Sequence, residues 1–444
     1  MEASLVEILN ARERRVQQQQ QLLCRFQKPL LCFTMNIPGP VKLDRDISIG
    51  FHVGKWLLRD ALSKYNVLFF EAQQENTGCE AYYVVDIPAR ALKQLAVDLE
   101  DIDPIGRLFD MDVLDTDGSK LTREELGYPK RKCLLCNRDA VICARSRAHG
   151  LEALQDRTGF LLYVAARQFL CEYIAARAYF ALNQEVSTTP KPGLVDRNNR
   201  GAHQDMGIKH FFASANALRP FFCRFAEEGF LTRDLAPEET FSRIRPIGVE
   251  AEAAMKKATH GVNTHKGAIF SIGLLCAAAG RLSPENWQAE KLLAECAAMT
   301  KGLVEADFAG VTPENAKTAG EKLYVAYGIT GVRGQAEAGF PAVREVGLPI
   351  FREGLEKGLS VNDAGAVTLL HLLSVTDDTN LIHRSDRKTQ LQIKARIAQM
   401  LQREPFPAAE VIEALDREFI QKNLSPGGSA DLLAATYFVH FLSQ

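Results

Sequence analysis

The stretch Leu-Phe-Asp-Met-Asp-Val-Leu, residues 108–114, predicts a β-strand with one apolar and one acidic face. Strand side chains alternate, so Asp110 and Asp112 point to the same side and the apolar residues between them to the other. Two carboxylates this close repel each other unless a cation lies between them, and Mg²⁺ commonly binds one or two carboxylates together with substrate phosphates. The pair therefore indicates either a magnesium site for phosphate chemistry or the polar face of a solvated edge strand.

Charges are segregated around this predicted strand. Residues 98–117 contain eight acidic side chains and a single base, whereas residues 130–149 are strongly basic. The acidic segment is expected to bind a metal and the basic segment a polyphosphate, because arginine guanidinium groups match phosphate oxygens and lysine supplies a point charge. A solvated charged surface is the alternative. The candidate phosphate ligands are Arg107, Arg131, Lys132, Arg145 and Arg147.

Length and composition indicate two packed domains. A chain of 444 residues exceeds what one hydrophobic core usually spans, and its 46% hydrophobic residues suffice for packed globules. The formal net charge of −2 gives no general attraction to nucleic acid or to anionic membranes, so neither is expected as a partner. The first residues are polar and charged, and no signal peptide is expected there.

Cysteine usage favours a cytoplasmic location. Ten cysteines are scattered without the spacing of a disulfide framework, which indicates reduced thiols. Cys133 and Cys136 form a C-x-x-C motif with Cys143 seven residues later. Because no second C-x-x-C and no well-spaced histidine pair completes a four-ligand zinc site, structural or incidental thiols are the favoured interpretation. The apolar stretch 160–182 contains charged side chains and predicts a buried helix rather than a membrane span.

The chain is expected to consist of an N-terminal α+β or α/β domain, residues 1–156, and a nearly all-α domain, residues 157–444. After about Arg157 the sequence is rich in helix-forming residues with helical apolar spacing, and few strand-like runs interrupt them. Function in the second domain is expected in the loops between helices. The regular elements predicted in the first domain are helices at 5–26, 51–64 and 89–99 and strands at 30–35, 67–71, 81–87 and 108–114.

Loops that combine glycine with charged or hydroxyl residues precede several helices of the second domain. They span residues 187–205, 263–267, 327–337 and 425–431. Each alone fits an ordinary helix cap or turn, but their recurrence predicts a shared polyphosphate site, since helix N-termini offer unpaired N–H groups and glycine lets backbone approach a ligand. The candidate phosphate ligands are Lys191, Arg200, His265, Lys266, Arg333, Gly427 and Gly428.

The cluster Asp377-Asp378-Thr379-Asn380 adds a carboxylate pair suited to binding a metal or to abstracting a proton. His203 lies near Asp205 in the first loop. A lone loop histidine is more often structural than catalytic, and this neighbour favours a functional role.

Three motifs of the first domain resemble the citrate lyase phosphoribosyl-dephospho-CoA transferase, also called holo-acyl-carrier-protein synthase. They are Thr34–Lys42, Gly106–Val113 and Arg131–His149, and the resemblance covers about residues 1–156.

The second domain resembles the triphosphoribosyl-dephospho-CoA synthase family. The matching motifs are Ser187–Asp205, Thr264–Gly267, Gly331–Gly334 and Ser425–Asp431. The whole chain is therefore similar to a fusion of two enzymes.

The resemblance implies a nucleotidyltransferase-like first domain and two successive reactions. In the second domain, the ribose 2′-hydroxyl of 3′-dephospho-CoA would attack C1 of the ATP ribose and expel adenine. In the first domain, a serine of the citrate lyase acyl carrier protein would attack the α-phosphate of that product and release pyrophosphate. ATP and 3′-dephospho-CoA are thus the expected substrates, Mg²⁺ the expected cofactor and the carrier protein the expected partner.

Residue roles follow from the chemistry of each step. Asp110 and Asp112 are the expected catalytic and metal-binding pair of the transfer, where charge builds on the departing pyrophosphate. Displacement of adenine builds positive character at the ribose carbon and needs a carboxylate, a base and an acid. The candidates for it are Asp196, Asp205 and Asp377 as carboxylates and His203 as acid or base.

Two alternatives for the second domain stay open at this stage. One is a non-catalytic nucleotide- or CoA-binding scaffold that recruits the carrier protein. The other is an ADP-ribosyl hydrolase-like enzyme in which Asp377, Asp378 and Thr379 assist attack by water on a ribosyl bond.

Overall fold

The computed structural model describes residues 2–443, which form two compact units. One unit comprises residues 2–170 with 283–285, and the other comprises residues 171–282 with 286–443. Over this described range, no helix combines the length and the apolar character that crossing a membrane requires.

The first unit is built on an antiparallel sheet of five strands in the order β2-β3-β1-β4-β5. Its antiparallel pairing makes the unit α+β. The strands are β1 (Leu30–Met35), β2 (Val67–Glu75), β3 (Gly78–Val85), β4 (Phe109–Leu114) and β5 (Lys120–Leu121), and the helices are α1 (Leu5–Phe26), α2 (Arg45–Leu62), α3 (Ala89–Glu100), α4 (Ala140–Ser146) and α5 (Leu151–Ala165).

Alternate side chains of β1 enter two different cores, which explains why its sequence is apolar without alternation. Leu31 and Phe33 pack in the larger core with residues of α2, α3 and α5. Leu30 and Cys32 pack in a smaller core with leucines of α1. Burial of each large apolar side chain contributes about 1.5–3 kcal/mol, so this central strand fixes the sheet between its helices.

Helices make up the regular structure described in the second unit. They are α6 (Cys171–Ser187), α7 (Ile208–Leu231), α8 (Pro237–Ala258), α9 (Lys266–Arg281), α10 (Ala289–Met299), α11 (Leu303–Phe308), α12 (Ala319–Tyr327), α13 (Gly331–Glu337), α14 (Leu348–Glu356), α15 (Val361–Val375), α16 (Thr379–Arg384), α17 (Arg387–Arg403), α18 (Ala409–Gln421) and α19 (Gly427–Leu442).

Helices α7 and α9 approach each other at backbone distance. A Cβ added to Gly229 of α7 would lie 2.0 Å from the Ala277 carbonyl oxygen, and one added to Gly280 of α9 would lie 2.0 Å from the Ala226 carbonyl oxygen. Both contacts are far inside van der Waals distance, so only glycine fits at either position. The buried, alanine-rich helix α9 is thereby held at the centre of the unit.

Several boundaries differ from those expected from the pattern. Helix α2 begins at Arg45 because the Asp44 carboxylate caps it, accepting a hydrogen bond from the Ile47 N–H at 2.8 Å. Residues 331–337, expected in a loop, form α13. The stretch 160–182 is not one regular helix, since residues 166–170 form a π-helical turn. That the first unit has a nucleotidyltransferase-like fold stays a prediction.

Candidate active sites

The two carboxylates of β4 occupy the face that the alternation predicts. Asp110 is exposed and Asp112 is half-buried, while the apolar residues between them are buried in the larger core. The Asp112 Oδ1 lies 2.6 Å from the Lys120 Nζ of β5. Desolvation by the surrounding protein, and then the negative charge of Asp112, raise the pKa of Asp110. Strand β4 pairs with β1 over residues 109–114, but β5 pairs only with Val113 and Leu114, so the second edge of β4 at Asp110 and Asp112 has no strand partner within residues 2–443.

Two buried charged residues of α3 hold the backbone between these carboxylates. The Met111 N–H donates to the Glu100 Oε1 at 2.9 Å, and the Lys93 Nζ donates to the Met111 carbonyl oxygen at 2.9 Å. Burial raises the pKa of Glu100. Sequence reasoning missed both side chains, because nothing in the spacing of α3 distinguishes them from residues on its solvent-exposed side.

The basic segment uses several of its predicted phosphate ligands internally. Arg107 and Arg131 donate to backbone carbonyl oxygens at 2.6–3.1 Å, and the Lys132 Nζ lies 3.1 Å from an Asp139 carboxylate oxygen. These three charged side chains therefore hold the segment together through internal contacts, whereas the sequence predicted that they bind phosphate. Arg145 and Arg147 are exposed and remain available to a ligand.

The thiols of this segment, interpreted from the sequence as structural or incidental, lie together in the structure. Cys133, Cys136 and Cys143 gather with His149, and their ligand atoms all lie within 4.8 Å of one another. The fourth donor was missed because a single histidine, rather than a pair, completes the set.

A cleft of about 730 Å³ in the helical unit brings the four predicted loops together. The N-termini of α9 and α19 both contribute to its wall. The dipoles of the two helices favour negative charge at this wall, and several of their first-turn N–H groups already donate to Asn263, Asp378 and Asp431. The predicted residues that line the cleft are Lys191, His203, Asp205, His265, Lys266, Asp377, Gly427 and Gly428.

Glycines at the start of these two helices allow close approach by side chains from neighbouring elements. A Cβ added to Gly267 would lie 1.9 Å from the Asp431 Oδ2, and one added to Gly427 would lie 2.6 Å from the Asn380 Nδ2. The glycines therefore make room for polar side chains of the cleft, and a larger residue would displace them.

The cleft contains two carboxyl groups with raised pKa values. Burial raises the pKa of Glu185, although Lys191, whose Nζ donates to the Glu185 carboxylate and to its carbonyl oxygen at 2.8 Å, acts to lower it. Burial, followed by the charge of Glu185, raises the pKa of Asp431 well above its usual range. Lys191 is 1% exposed, so it forms a buried ion pair rather than an open phosphate contact.

His265 is a neutral, buried imidazole in the wall of the cleft. Its Nδ1 lies 2.7 Å from the Ser214 Oγ, whereas its buried Nε2 has no hydrogen-bond partner within residues 2–443. Burial, and then the Lys191 charge, lower its pKa to about 3. A buried polar atom without a partner costs about 1–3 kcal/mol, which a bound ligand would offset.

His203 is oriented by two neighbours at the rim. An Arg384 nitrogen donates to its Nδ1 at 2.9 Å, and its Nε2 lies 2.9 Å from the Ser425 Oγ. Since arginine can only donate, the neutral ring carries its proton on Nε2 and donates to the serine. Burial, and then the Arg384 charge, lower the pKa of His203. Asp205 lies 3.7 Å from its Nδ1 and is largely exposed.

The carboxylates of Asp377 and Asp378 serve different purposes. Asp377 lines the cleft, and although partial burial acts to raise its pKa, hydrogen bonds from Arg387 and Lys394 lower it. Asp378 is fully buried and accepts hydrogen bonds that cap α16 and tether Ser429 of α19. The two therefore do not form the open metal pair that their sequence suggested.

Three further predicted residues do not line the cleft. The buried Asp196 carboxylate accepts backbone hydrogen bonds from within its own loop, 2.7–3.0 Å long. Arg333 places its Nε 2.7 Å from the Asp307 Oδ2. Arg200 is exposed and lies beside Gly207. Short-range hydrogen bonds and ion pairs, which the sequence does not reveal, account for Asp196 and Arg333.

Both halves of the chain match family models. The one described as CitX: Apo-citrate lyase phosphoribosyl-dephospho-CoA transferase matches residues 3–162, and the one described as CitG: ATP:dephospho-CoA triphosphoribosyl transferase matches residues 171–444. Protein CitXG of Haemophilus influenzae is 37% identical, covering 99% of this chain and 96% of that protein. Protein CitXG of Leuconostoc mesenteroides subsp. cremoris is 32% identical, covering 98% of this chain and 96% of that protein. The chain belongs to the CitXG family.

The two CitXG halves correspond to the two units of the fold. The CitX match ends within α5, and the CitG match begins with the first residue of α6. Both families are transferases, so the chain is a bifunctional transferase connected with citrate lyase maturation.

Proposed function

We propose that the CitG half joins ATP and 3′-dephospho-CoA into 2′-(5″-triphosphoribosyl)-3′-dephospho-CoA with release of adenine. The CitX half then transfers this group to a serine of the citrate lyase acyl carrier protein with release of pyrophosphate. The observation that carries the proposal is the cleft in which Glu185 and Asp431, both with raised pKa values, lie among cations and helix N-termini.

Displacement of adenine requires a proton on the leaving base and negative charge near the ribose carbon. Asp431, with the more strongly raised pKa, supplies the proton to adenine. Glu185, held by Lys191, supplies the carboxylate that stabilises positive character at C1. Asp205 is exposed at the rim and is the base for the 2′-hydroxyl, while His203 positions Ser425.

The triphosphate is expected at the N-terminal ends of α9 and α19. Lys266 is 61% exposed, and among residues 2–443 its Nζ is paired with Glu252 alone, at 3.1 Å, so it can exchange this contact for phosphate. Gly427 and Gly428 begin α19 on the cleft wall, where the Gly428 N–H donates to the buried Asp378 and the helix dipole favours a phosphate. His265 adds a neutral imidazole to the same wall.

In the CitX half, Asp110 and Asp112 fit a divalent cation completed by substrate phosphates, because they share one face of β4 and the pKa of Asp110 stays raised despite the charges of Lys120, Arg131 and Lys93. Bound there, Mg²⁺ would neutralise charge that develops on pyrophosphate. Arg145 and Arg147 are exposed on the basic segment and are the residues proposed to bind the triphosphate donor.

Membership in two transferase families favours this proposal over the hydrolase and scaffold alternatives. The test uses the full chain with ATP and 3′-dephospho-CoA, and adenine is quantified by chromatography. We expect adenine release that depends on dephospho-CoA and is lost in Asp431→Asn. Glu410→Gln, an exposed carboxylate of α18, is the control and should retain it. Ribose triphosphate formed without dephospho-CoA would support the hydrolase, and no adenine release would support the scaffold.

A further inference from the structure

We propose that Cys133, Cys136, Cys143 and His149 bind one structural Zn²⁺ ion in the CitX half. The proposal is independent of the reactions assigned above. It rests on four donors that the fold brings together from a C-x₂-C-x₆-C-x₅-H pattern. Three thiolates and one imidazole are a set that binds zinc in closed, tetrahedral sites.

Local backbone structure assembles the first three donors. The Cys133 N–H donates to the Arg138 carbonyl oxygen at 2.8 Å, and Lys132 pairs with Asp139 in an antiparallel bridge, so the chain turns tightly around the C-x-x-C. Helix α4 follows immediately and carries Cys143.

A left-handed residue then returns the chain to the cluster. Arg147 has φ of 45°, and the Ala148 N–H donates to the Cys143 carbonyl oxygen at 3.0 Å. This turn ends α4 and places His149 beside the thiols. The buried Nε2 of His149 has no hydrogen-bond partner among residues 2–443.

The spacing of the donors fits a metal better than a disulfide. The Sγ atoms of Cys136 and Cys143 are 3.6 Å apart, and all four ligand atoms lie within 4.8 Å of one another. Thiolates bound to one zinc in a tetrahedron lie about 3.8 Å apart, because each Zn–S bond is about 2.3 Å. A disulfide needs about 2.05 Å and would use only two of the three sulfurs.

The segment lacks a hydrophobic core that would hold the donors together without a metal. Val141 and Ile142 of α4 are 57% and 55% exposed, whereas Cys133 and Cys143 are only 7% and 5% exposed. The sulfur atoms thus occupy the interior that apolar side chains occupy in a larger fold. Segments this small commonly depend on a metal or on disulfides for stability.

Zinc at this site would stabilise the basic segment next to the Asp110 and Asp112 pair. Arg107, two residues before the start of β4, donates to the carbonyl oxygens of Lys132 and Cys133 at 3.0 and 2.8 Å. The turn that holds the first thiol is therefore connected to the start of the catalytic strand. All four donors are protein side chains, so no position is left for substrate and the ion is structural.

The first test measures metal in the unmodified full chain. Protein produced in zinc-supplemented medium and passed through gel filtration is analysed by inductively coupled plasma mass spectrometry, and we expect about one Zn²⁺ per chain. Replacement by Co²⁺ should give thiolate-to-cobalt charge-transfer bands and the d–d bands of a tetrahedral ion. Only trace zinc in this material, or a Cys136–Cys143 disulfide found by mass spectrometry of freshly alkylated protein, would overturn the proposal.

Variants then locate the ion. Cys143→Ser and His149→Ala should lose most of the zinc, whereas His149→Cys should retain it because four thiolates also bind zinc tetrahedrally. Cys24→Ser removes an exposed thiol of α1 and is the matched control. Unchanged zinc in both Cys143→Ser and His149→Ala would place the ion elsewhere and contradict the assignment.

Discussion

At the scale of single residues, Asp431 controls the pH dependence of adenine release. Its pKa is raised by burial and by Glu185, so it keeps its proton into a range where an ordinary aspartate is ionised. Because the protonated form is the proposed acid, the rate should fall as pH rises through this pKa. Single-turnover adenine release measured against pH should show this loss on the alkaline side.

Asp431→Asn should lower the rate by about 10²-fold or more and remove this alkaline decline, since the amide cannot release a proton to the leaving base. The exposed Glu410→Gln change should leave the profile intact. A wild-type rate that increases across the same pH range would show that Asp431 acts in its ionised form instead.

Asp110 is the corresponding test residue in the CitX half. Asp110→Asn removes one of two carboxylates on the open face of β4, and we expect labelling of the carrier protein to fall by about 10²-fold or more. Adenine release by the CitG half should be unchanged. Labelling is measured from the mass of the carrier protein after incubation with the full chain, ATP and dephospho-CoA.

Asp98→Asn serves as the matched control, because it changes an exposed carboxylate of α3. Labelling at a near-normal rate by Asp110→Asn would return the carboxylate pair to a solvated surface role.

At the scale of elements, the first turn of α9 has no room for a side chain at Gly267. The added methyl group of Gly267→Ala would lie 1.9 Å from the Asp431 Oδ2, so it must displace the proposed acid. We expect strongly reduced adenine release with carrier transfer unaffected when the intermediate is supplied. The control is Gly248→Ala in α8, where an added Cβ meets nothing within 4 Å.

Alanine is the better helix former by about 1 kcal/mol, so Gly248→Ala should keep activity and leave unfolding by urea unchanged or slightly delayed. Equal adenine release by the two variants would show that Asp431 can move without loss of function.

Elements defined by local patterns could be predicted closely from the sequence. Residues 5–26 and 30–35 have the predicted type and bounds. Helix α2 was predicted to start too late because Gly50 is a poor helix former. Packing requires this glycine, since a Cβ on Gly50 would lie 2.6 Å from the Leu162 Cδ2.

The candidate site was predictable where its residues lie in loops and not where they lie in helices. The glycine-rich loops do converge on one cleft, and Asp110 and Asp112 share a face. Glu185 lies in α6, and Asp431 ends the predicted 425–431 loop, which belongs to α19 in the structure; the two are far apart in sequence, and only tertiary packing brings them together. His149 was missed because a single histidine, rather than a spaced pair, completes the cysteine cluster.

At the scale of the whole molecule, buried neutral histidines make the helical unit sensitive to acid. The pKa values of His265 and His440 are lowered from 6.5 to about 3 and about 4, chiefly by burial. Between the ordinary and lowered values the unfolded chain binds protons that the folded chain does not, so stability falls as pH falls. The loss is about 1.4 kcal/mol per pH unit for each histidine.

Urea unfolding followed by circular dichroism at pH 7 and pH 5 measures this effect. His265→Gln should show a smaller loss on acidification than the wild type, whereas His260→Asn, at an exposed position with positive φ, should show the same loss. If the wild type and His265→Gln lose the same free energy of unfolding between pH 7 and pH 5, the role assigned to His265 is wrong.

The two reactions are assigned to separate units, so they should complement each other between chains. Asp110→Asn should retain the adenine-releasing step of the CitG half, and Asp431→Asn should retain the carrier-transfer step of the CitX half. A mixture of the two variants with ATP, dephospho-CoA and the carrier protein should therefore yield much more labelled carrier than either variant alone. A mixture that gives no label would mean that the intermediate cannot leave the chain that made it.

The reciprocal contacts of Gly229 and Gly280 limit how this protein can change over evolutionary time. Each glycine faces a main-chain carbonyl rather than a side chain. A second substitution elsewhere can make a side chain smaller, but it cannot remove a carbonyl. A larger residue at either position would therefore require α7 and α9 to move apart together, and helix α9 carries the Lys266 end of the cleft with it. Sequence drift at the centre of the helical unit is thus coupled to the geometry of its active site.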